Sequence, residues 1–276
     1  MRIFTLETGY FKLDGGAMFG VVPKSIWQKS IPADANNMCN WAMRCLLIED
    51  GKRLILIDTG IGDKQDEKFF GYYYLNGDDT LKKSLHQLGF DFSDVTDVFL
   101  THLHFDHCGG AIKRESDKLV PTFPKAKFWS NQAHWRWATE PNAREKASFL
   151  KENILPIQES GQLNFVEGTD FEGIFEVFFA SGHTESMMCP ILNYKGHKIA
   201  YCADLLPSHA HLPLAYVMGY DTRPLLTLEE KKIFLDRAAD ENMILVFEHD
   251  AQIQACTLQK TDRGVRMDKP VRISEL

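Results

Sequence analysis

The chain has 276 residues, 44% of them hydrophobic and 25% charged, and a formal net charge of −7. That length can bury a sizeable core, and the composition is that of an ordinary globular protein. The acidic balance argues against the basic footprint of a nucleic-acid-binding protein, and no run is long and apolar enough to predict a membrane-spanning helix.

In chain order, residues 2–8 predict a strand; Glu7 interrupts the run early, so it does not read as a secretory leader. From Asp14 to Asn40 the chain is irregular and rich in Gly, Pro and Asn, with Met18, Phe19 and Trp27 suited to a core or to an apolar pocket. Cys45-Leu46-Leu47-Ile48 and Leu54-Ile55-Leu56-Ile57 flank a turn at Asp50-Gly51 and predict a hairpin of buried strands that ends on Asp58-Thr59-Gly60. A helix is expected over 79–88, with Asp79 as its cap, Leu81, Leu85 and Leu88 on one face, and Gly89 at its end. Val98-Phe99-Leu100 predicts a strand running into His102. Phe128-Trp129 predicts another, and 131–152 is expected to be helical with a break at Pro141. Strands are expected at 162–166 and 174–180.

The second half repeats the pattern. A hairpin over 191–194 and 198–201 ends near Asp204. A helix is expected from Leu228 to Asp240, with Thr227 and Glu230 spaced as a capping box. The strand Met243–Phe247 then runs into Glu248-His249-Asp250, and the tail reads as a further hairpin. No linker or low-complexity tract divides residues 1–276, so a single domain of two related β-rich halves is expected. The six cysteines at 39, 45, 108, 189, 202 and 256 form no CxxC pair; they read as reduced thiols of a cytoplasmic protein, with Cys108 a small space-filling residue.

The chemistry concentrates in His102-Leu103-His104-Phe105-Asp106-His107. In extended chain, residues two apart point the same way, so His102 and His104 can share one metal ion. A turn after His104 would let Asp106 and His107 face a second. Imidazole and carboxylate suit zinc foremost, and manganese or iron also accept them. Gly109-Gly110 permits close backbone approach behind the cluster. A histidine-rich surface turn is the plainer reading, and four ligand-type side chains within six positions weigh against it. One loop cannot fill two coordination shells. His183, Asp204 and His249, each at the end of a predicted strand, are the natural completion.

The string THLHFDHCGG resembles the HxHxDH signature of the metallo-β-lactamase fold superfamily, and LIDTG (56–60), SGHTES (181–186), YCADL (201–205) and FEHD (247–250) are similar to its other motifs, in order. The resemblance implies an α/β fold, a four-layer αβ/βα sandwich of two mixed sheets facing each other with helices outside. It implies one ion on His102, His104 and His183, a second on Asp106, His107 and His249, and Asp204 bridging them, with Asp58 orienting a ligand from behind. Water shared by two divalent ions would act as hydroxide on a small ester or lactone, with Asp106 and Asp204 in catalytic roles. Phosphodiester or phosphotriester hydrolysis by the same pair, and metal sensing without turnover, are the alternatives. A small-molecule substrate is expected as partner, without nucleic acid or membrane, and a homodimer is compatible with the composition.

Within the superfamily the lactonase-like branch fits best, with one departure. Many of those lactonases place a tyrosine three residues beyond the bridging aspartate, where this chain has Pro207. His209, His211, Tyr216 and Tyr220 lie near enough in sequence to substitute, and His211 is the preferred substrate-facing group. His86, His134 and His197 read as surface or structural histidines.

Overall fold

The computed structural model describes all residues from Met1 to Leu276. The chain divides into two compact units, Met1–Gly9 with Met43–Phe171, and Tyr10–Ala42 with Glu172–Leu276. Each combines a mixed sheet with helices.

In the first unit the strand order is Arg2–Asp14, Met38–Asp50, Arg53–Ile57, Asp97–Phe99, Lys127–Ser130 and Leu163–Phe165; the first two strands run on into the second unit's residues. The predicted hairpin is present, with Leu46 opposite Ile57 and Ile48 opposite Ile55. The next strands add in parallel, Ile57 beside Phe99 and Phe99 beside Trp129. Parallel strands need both faces covered, which the apolar runs Leu54–Ile57 and Val98–Leu100 supply. Leu47, Leu56, Val98, Phe123, Phe128 and Ile157 are fully buried in one core. Burying a side chain of that size stabilises by about 1.5–3 kcal/mol. The carboxyl ends of adjacent parallel strands deliver Asp58 and Thr101-His102, the edge where α/β sheets place their chemistry.

In the second unit the order runs Gly264–Val271, Ala255–Thr261, Ile244–Val246, His197–Tyr201, Met187–Tyr194 and Phe175–Ala180. The hairpin pairs Ile191 with Ala200, and the parallel step pairs Tyr201 with Val246. The expected repeat thus holds within each unit: hairpin, acidic residue, helix, parallel strand, histidine. The tail forms the expected hairpin, and all six cysteines are buried free thiols.

Three local expectations are corrected. The helix expected over 79–88 spans Leu81–Gln87, and its cap is Thr80, whose hydroxyl accepts the Lys83 N–H at 3.2 Å. The segment 131–152 is not one interrupted helix: Gln132–Thr139 and Lys151–Glu159 flank an irregular stretch, 140–150. The long helix starts earlier, at Pro224, whose missing N–H costs nothing in the first turn. Thr227 therefore lies inside the helix and its hydroxyl bonds the Arg223 carbonyl, while the Glu230 carboxylate reaches another loop.

Candidate metal centre

In the first unit the chain leaves the strand Asp97–Phe99 and turns through Thr101–His104 into a single helical turn, Phe105–Cys108. The turn fits only because it carries glycines. A Cβ on Gly109 would lie 2.1 Å from the Ile61 carbonyl oxygen, and one on Gly110 2.3 Å from that of Thr59. Behind the turn, Asp58 is fully buried with a left-handed φ of 58°. Its carboxylate accepts the Thr101 N–H at 2.8 Å and the Thr101 hydroxyl at 2.6 Å, and it faces His107 Nδ1 at 3.2 Å.

These partners assign the ring protons. A carboxylate only accepts, so His107 carries its proton on Nδ1 and presents Nε2 as a lone pair. The Thr101 hydroxyl gives its proton to Asp58, so its oxygen accepts from His102 Nδ1, 3.1 Å away. His102 Nε2 is then a lone pair, and it meets His104 Nδ1 at 3.1 Å. On the far side of the His104 ring, Nε2 faces the buried Glu145 carboxylate at 3.4 Å. Between His102 Nε2 and His104 Nδ1 either one proton is shared or a cation stands. Asp106 adds a carboxylate oxygen 3.8 Å from His107 Nε2, the same kind of encounter.

His134 is the structural histidine the sequence suggested. Fully buried, its Nε2 accepts the Leu103 N–H at 2.8 Å and fixes the backbone between His102 and His104. Cys108 packs under the motif with its thiol directed to the Leu103 carbonyl, and burial pushes its pKa up to about 12.

The second unit gathers His183, Asp204 and His249. His183 sits in the loop between Phe175–Ala180 and Met187–Tyr194, held from the long helix. Glu230 accepts the N–H groups of Ser181 and Gly182 at 2.8 and 2.9 Å, and the Arg223 guanidinium bonds the Ser181 carbonyl and Glu185. A Cβ on Gly182 would lie 2.3 Å from the Thr227 backbone nitrogen, so the helix can approach this loop only at glycine. Asp204 follows the strand His197–Tyr201, and His249 follows Ile244–Val246.

The same bookkeeping of protons applies. His249 donates from Nδ1 to the Ala42 carbonyl at 2.8 Å, so Nε2 is its lone pair, yet Nε2 lies 3.1 Å from Asp204 Oδ1. His183 faces Asp221 through Nδ1 at 2.9 Å and Asp204 Oδ2 through Nε2 at 3.1 Å. Burial opposes charge on His183, but Asp204 and then Asp221 outweigh it and lift its pKa to about 10. Both oxygens of Asp204 therefore meet imidazole nitrogens where a cation belongs, a proton or a metal ion. Buried nitrogen and carboxylate donors with tautomers fixed from behind are what zinc, manganese or iron require, and the residues fit such ions.

His211 is corrected as a substrate-facing group. It is buried, its Nε2 donates to the Met18 carbonyl at 2.9 Å, and its Nδ1 accepts from the Ser208 hydroxyl at 2.8 Å. Burial holds its pKa down at about 3, so it is a neutral internal strut. Phe19 stacks between it and Trp27, at 4.6 and 5.0 Å, which makes Phe19 and Trp27 core residues. His209 is engaged by the buried Asp250, which also accepts the backbone N–H groups of Gln252 and Ile253. Tyr220 is exposed. Glu145 and Asp221 were not singled out by the sequence, because each is a lone acidic residue in no motif, and Glu230 and Asp250 were given other places, in a capping box and in FEHD.

A model of the metallo-beta-lactamase superfamily matches residues 44–249. Among sequence relatives, a probable metallo-hydrolase of Mycobacterium tuberculosis is 30% identical over 151 residues, 49% of this chain and 46% of that protein. An N-acyl homoserine lactonase of Bacillus cereus is 26% identical over 162 residues, 54% of this chain and 57% of that protein. The chain thus spans about half the length of these relatives. Among solved structures, a probable metal-dependent hydrolase from Staphylococcus aureus superposes with a TM-score of 0.87 at 26% identity, covering 98% of both chains. A dizinc quorum-quenching lactonase in complex with its product superposes with a TM-score of 0.79 at 23% identity, covering 98% of this chain and 94% of that one. These likenesses show the metallo-β-lactamase fold.

Proposed function

Since the chain belongs to the metallo-beta-lactamase superfamily, we propose that it is a metal-dependent hydrolase with a dinuclear site, acting on a small ester or lactone. The observation that carries this reading is the crowding of buried ligand-type atoms within each unit, His102 Nε2 with His104 Nδ1 and Asp204 with His183 and His249. In this reading His102, His104 and His183 would hold one ion and Asp106, His107 and His249 the other, with Asp204 a ligand common to both.

Two divalent ions would supply Lewis acidity and lower the pKa of water. The chain's own residues do the rest. Asp58 and Asp221 fix His107 and His183 from behind, so the ligand nitrogens are set before any ion arrives. In this reading Asp106, in the turn Phe105–Cys108, would orient the attacking water and carry its proton toward the leaving group. Asp204 balances the positive charge of the pair.

The lactone or ester substrate is supported by the lactonase among the relatives. Pro207 supplies no hydroxyl to polarise a carbonyl, and neither ring nitrogen of His211 is available for that task. The Lewis acidity of bound ions would then have to supply the polarisation. The test is a panel of lactones, aryl esters and phosphoesters offered to His104→Ala and Asp204→Ala proteins beside the wild type. Loss of turnover in both supports the reading, and full activity in both would overturn it. Turnover of phosphoesters alone would replace the substrate class.

A further inference from the structure

The turn His209–His211, soon after Asp204, carries two histidines whose rings are used differently. His211 commits both nitrogens inside the chain, to the Ser208 hydroxyl and the Met18 carbonyl. His209 commits only Nδ1. That nitrogen bonds the Asp250 carboxylate, and the His209 side chain stays 17% exposed while Asp250 is fully buried. Asp250 Oδ2 also accepts the His209 backbone N–H at 2.8 Å, and Oδ1 accepts the N–H groups of Gln252 and Ile253, each at 2.8 Å. Set among these N–H donors, Asp250 acts as an acceptor, so His209 carries its proton on Nδ1. Its Nε2 is left as a lone pair with no partner in the chain. A buried aspartate that fixes a histidine's tautomer from behind leaves the outer nitrogen to act on another group.

The turn is held without that ring. The His209 backbone N–H ties it to Asp250, the Leu212 N–H closes it on the His209 carbonyl at 3.2 Å, and His211 pins its far side. Its place is set by the candidate ligands of the second unit: Asp250 follows His249 directly, and the Pro207 carbonyl accepts the His249 N–H at 3.1 Å. The open nitrogen is thus carried at the margin of the His183, Asp204 and His249 set, beside the reacting end of a bound substrate.

We propose that His209 is a specificity-determining residue: oriented by Asp250, its Nε2 accepts a hydrogen bond from an O–H or N–H group that the substrate carries beside its ester carbonyl. The inference rests on the ester and lactone reading above and narrows it to substrates that bear such a donor. An imidazole lone pair does not bond a carbonyl oxygen, itself an acceptor, so His209 selects a neighbouring donor and not the carbonyl. A substrate without one would cover Nε2 and strip it of water with nothing in exchange, a loss of about 10-fold.

The test compares γ-butyrolactone with α-hydroxy-γ-butyrolactone, which differ only in that donor, on the zinc-loaded full chain. Turnover is measured for wild type, His209→Phe and His209→Gln. In parallel the ring ¹⁵N resonances of wild-type His209 are followed, in mildly alkaline buffer, as cyclopentanone or 2-hydroxycyclopentanone is added; these ketones have the same outline and are not hydrolysed. The expected wild-type preference for the hydroxy lactone is about 10-fold in kcat/KM, carried mainly by KM. It disappears in His209→Phe and is partly kept in His209→Gln, whose amide can donate to Asp250 and still offer an oxygen. The wild-type ring is expected to hold its proton on Nδ1, with an Nε2 resonance that moves for the hydroxy ketone and not for cyclopentanone.

A wild type that does not distinguish the two lactones overturns the proposal, and so does a preference that survives in His209→Phe. If the wild type hydrolyses neither lactone, the lactone reading fails, and the ketones still judge His209: an Nε2 that carries the proton, or that responds equally to both, rejects the proposal. The same spectra decide should His209→Phe fail to fold.

Discussion

His249 Nε2 lies 3.1 Å from Asp204 Oδ1 while its Nδ1 donates to the Ala42 carbonyl 2.8 Å away. With Nδ1 so engaged, Nε2 turns to a carboxylate, an encounter that a proton or a metal ion between them satisfies. Asp204→Asn keeps the side-chain volume and removes the charge. We expect it to lose metal in proportion and to cut hydrolysis at least about 100-fold. Metal content after dialysis, measured beside turnover, checks this; unchanged metal content would show that Asp204 is not a ligand.

Asp58→Ala strips the acceptor from the Thr101 N–H, the Thr101 hydroxyl and His107 Nδ1, all buried. Each buried donor left without a partner costs about 1–3 kcal/mol, partly relieved by water entering the space. The metal-free variant is expected to be less stable by about 2–4 kcal/mol in denaturant unfolding. A change under 1 kcal/mol would mean that Asp58 does not organise the turn.

Gly182→Ala places a Cβ 2.3 Å from the Thr227 backbone nitrogen. The helix Pro224–Asp240 and the loop carrying His183 must then part, and the grip of Glu230 on Ser181 and Gly182 goes with them. Overpacking of this kind costs about 1–3 kcal/mol. We expect reduced stability together with weaker metal binding. A variant as stable as the wild type would show the approach to be looser than described.

Lys231 is fully buried, with Nζ donating to the carbonyls of Pro213 and Tyr216 at 3.0 and 2.7 Å. Burial lowers its pKa to about 7, against the opposing pull of Asp221. The unfolded chain holds this proton up to its ordinary value of about 10.4, while the folded chain releases it from about pH 7. Between those limits the unfolded state binds more protons, so folding gains stability as pH rises. Wild type is expected to gain at least about 1 kcal/mol over Lys231→Met between pH 7 and 9, read from denaturation midpoints. A constant difference would place the pKa elsewhere.

What the sequence made legible is what depends on local pattern. The hairpin at Leu46–Ile57, the parallel strands feeding Thr101 and His249, and the ligand-type residues of the 102–107 motif follow from period, turn residues and spacing. His134 was read as a surface or structural histidine, and it is a buried structural one. Glu145 and Asp221 were hidden because the histidines they face are far away in sequence and no spacing announces them, and Glu230, read as half of a capping box, instead holds the Ser181 and Gly182 N–H groups. His211 misled for the opposite reason. A histidine soon after Asp204 suggested a polar group for the substrate, yet the stack on Phe19 and the Met18 carbonyl, 193 residues away in sequence, absorb it. The stretch 140–150 is held out of helix locally, by Pro141 and by the Asn142 side chain, which accepts the Arg144 and Glu145 N–H groups.

The most direct measurement is zinc titration of the chelator-stripped chain while the hydrolysis of a lactone and an aryl ester is followed. Stripped protein is expected to show no turnover, and added zinc a rise that levels off at two equivalents, absent from Asp204→Asn. A plateau at one equivalent would contradict the dinuclear site, and a chain that binds two ions but hydrolyses no lactone, ester or phosphoester would contradict the assignment as a hydrolase.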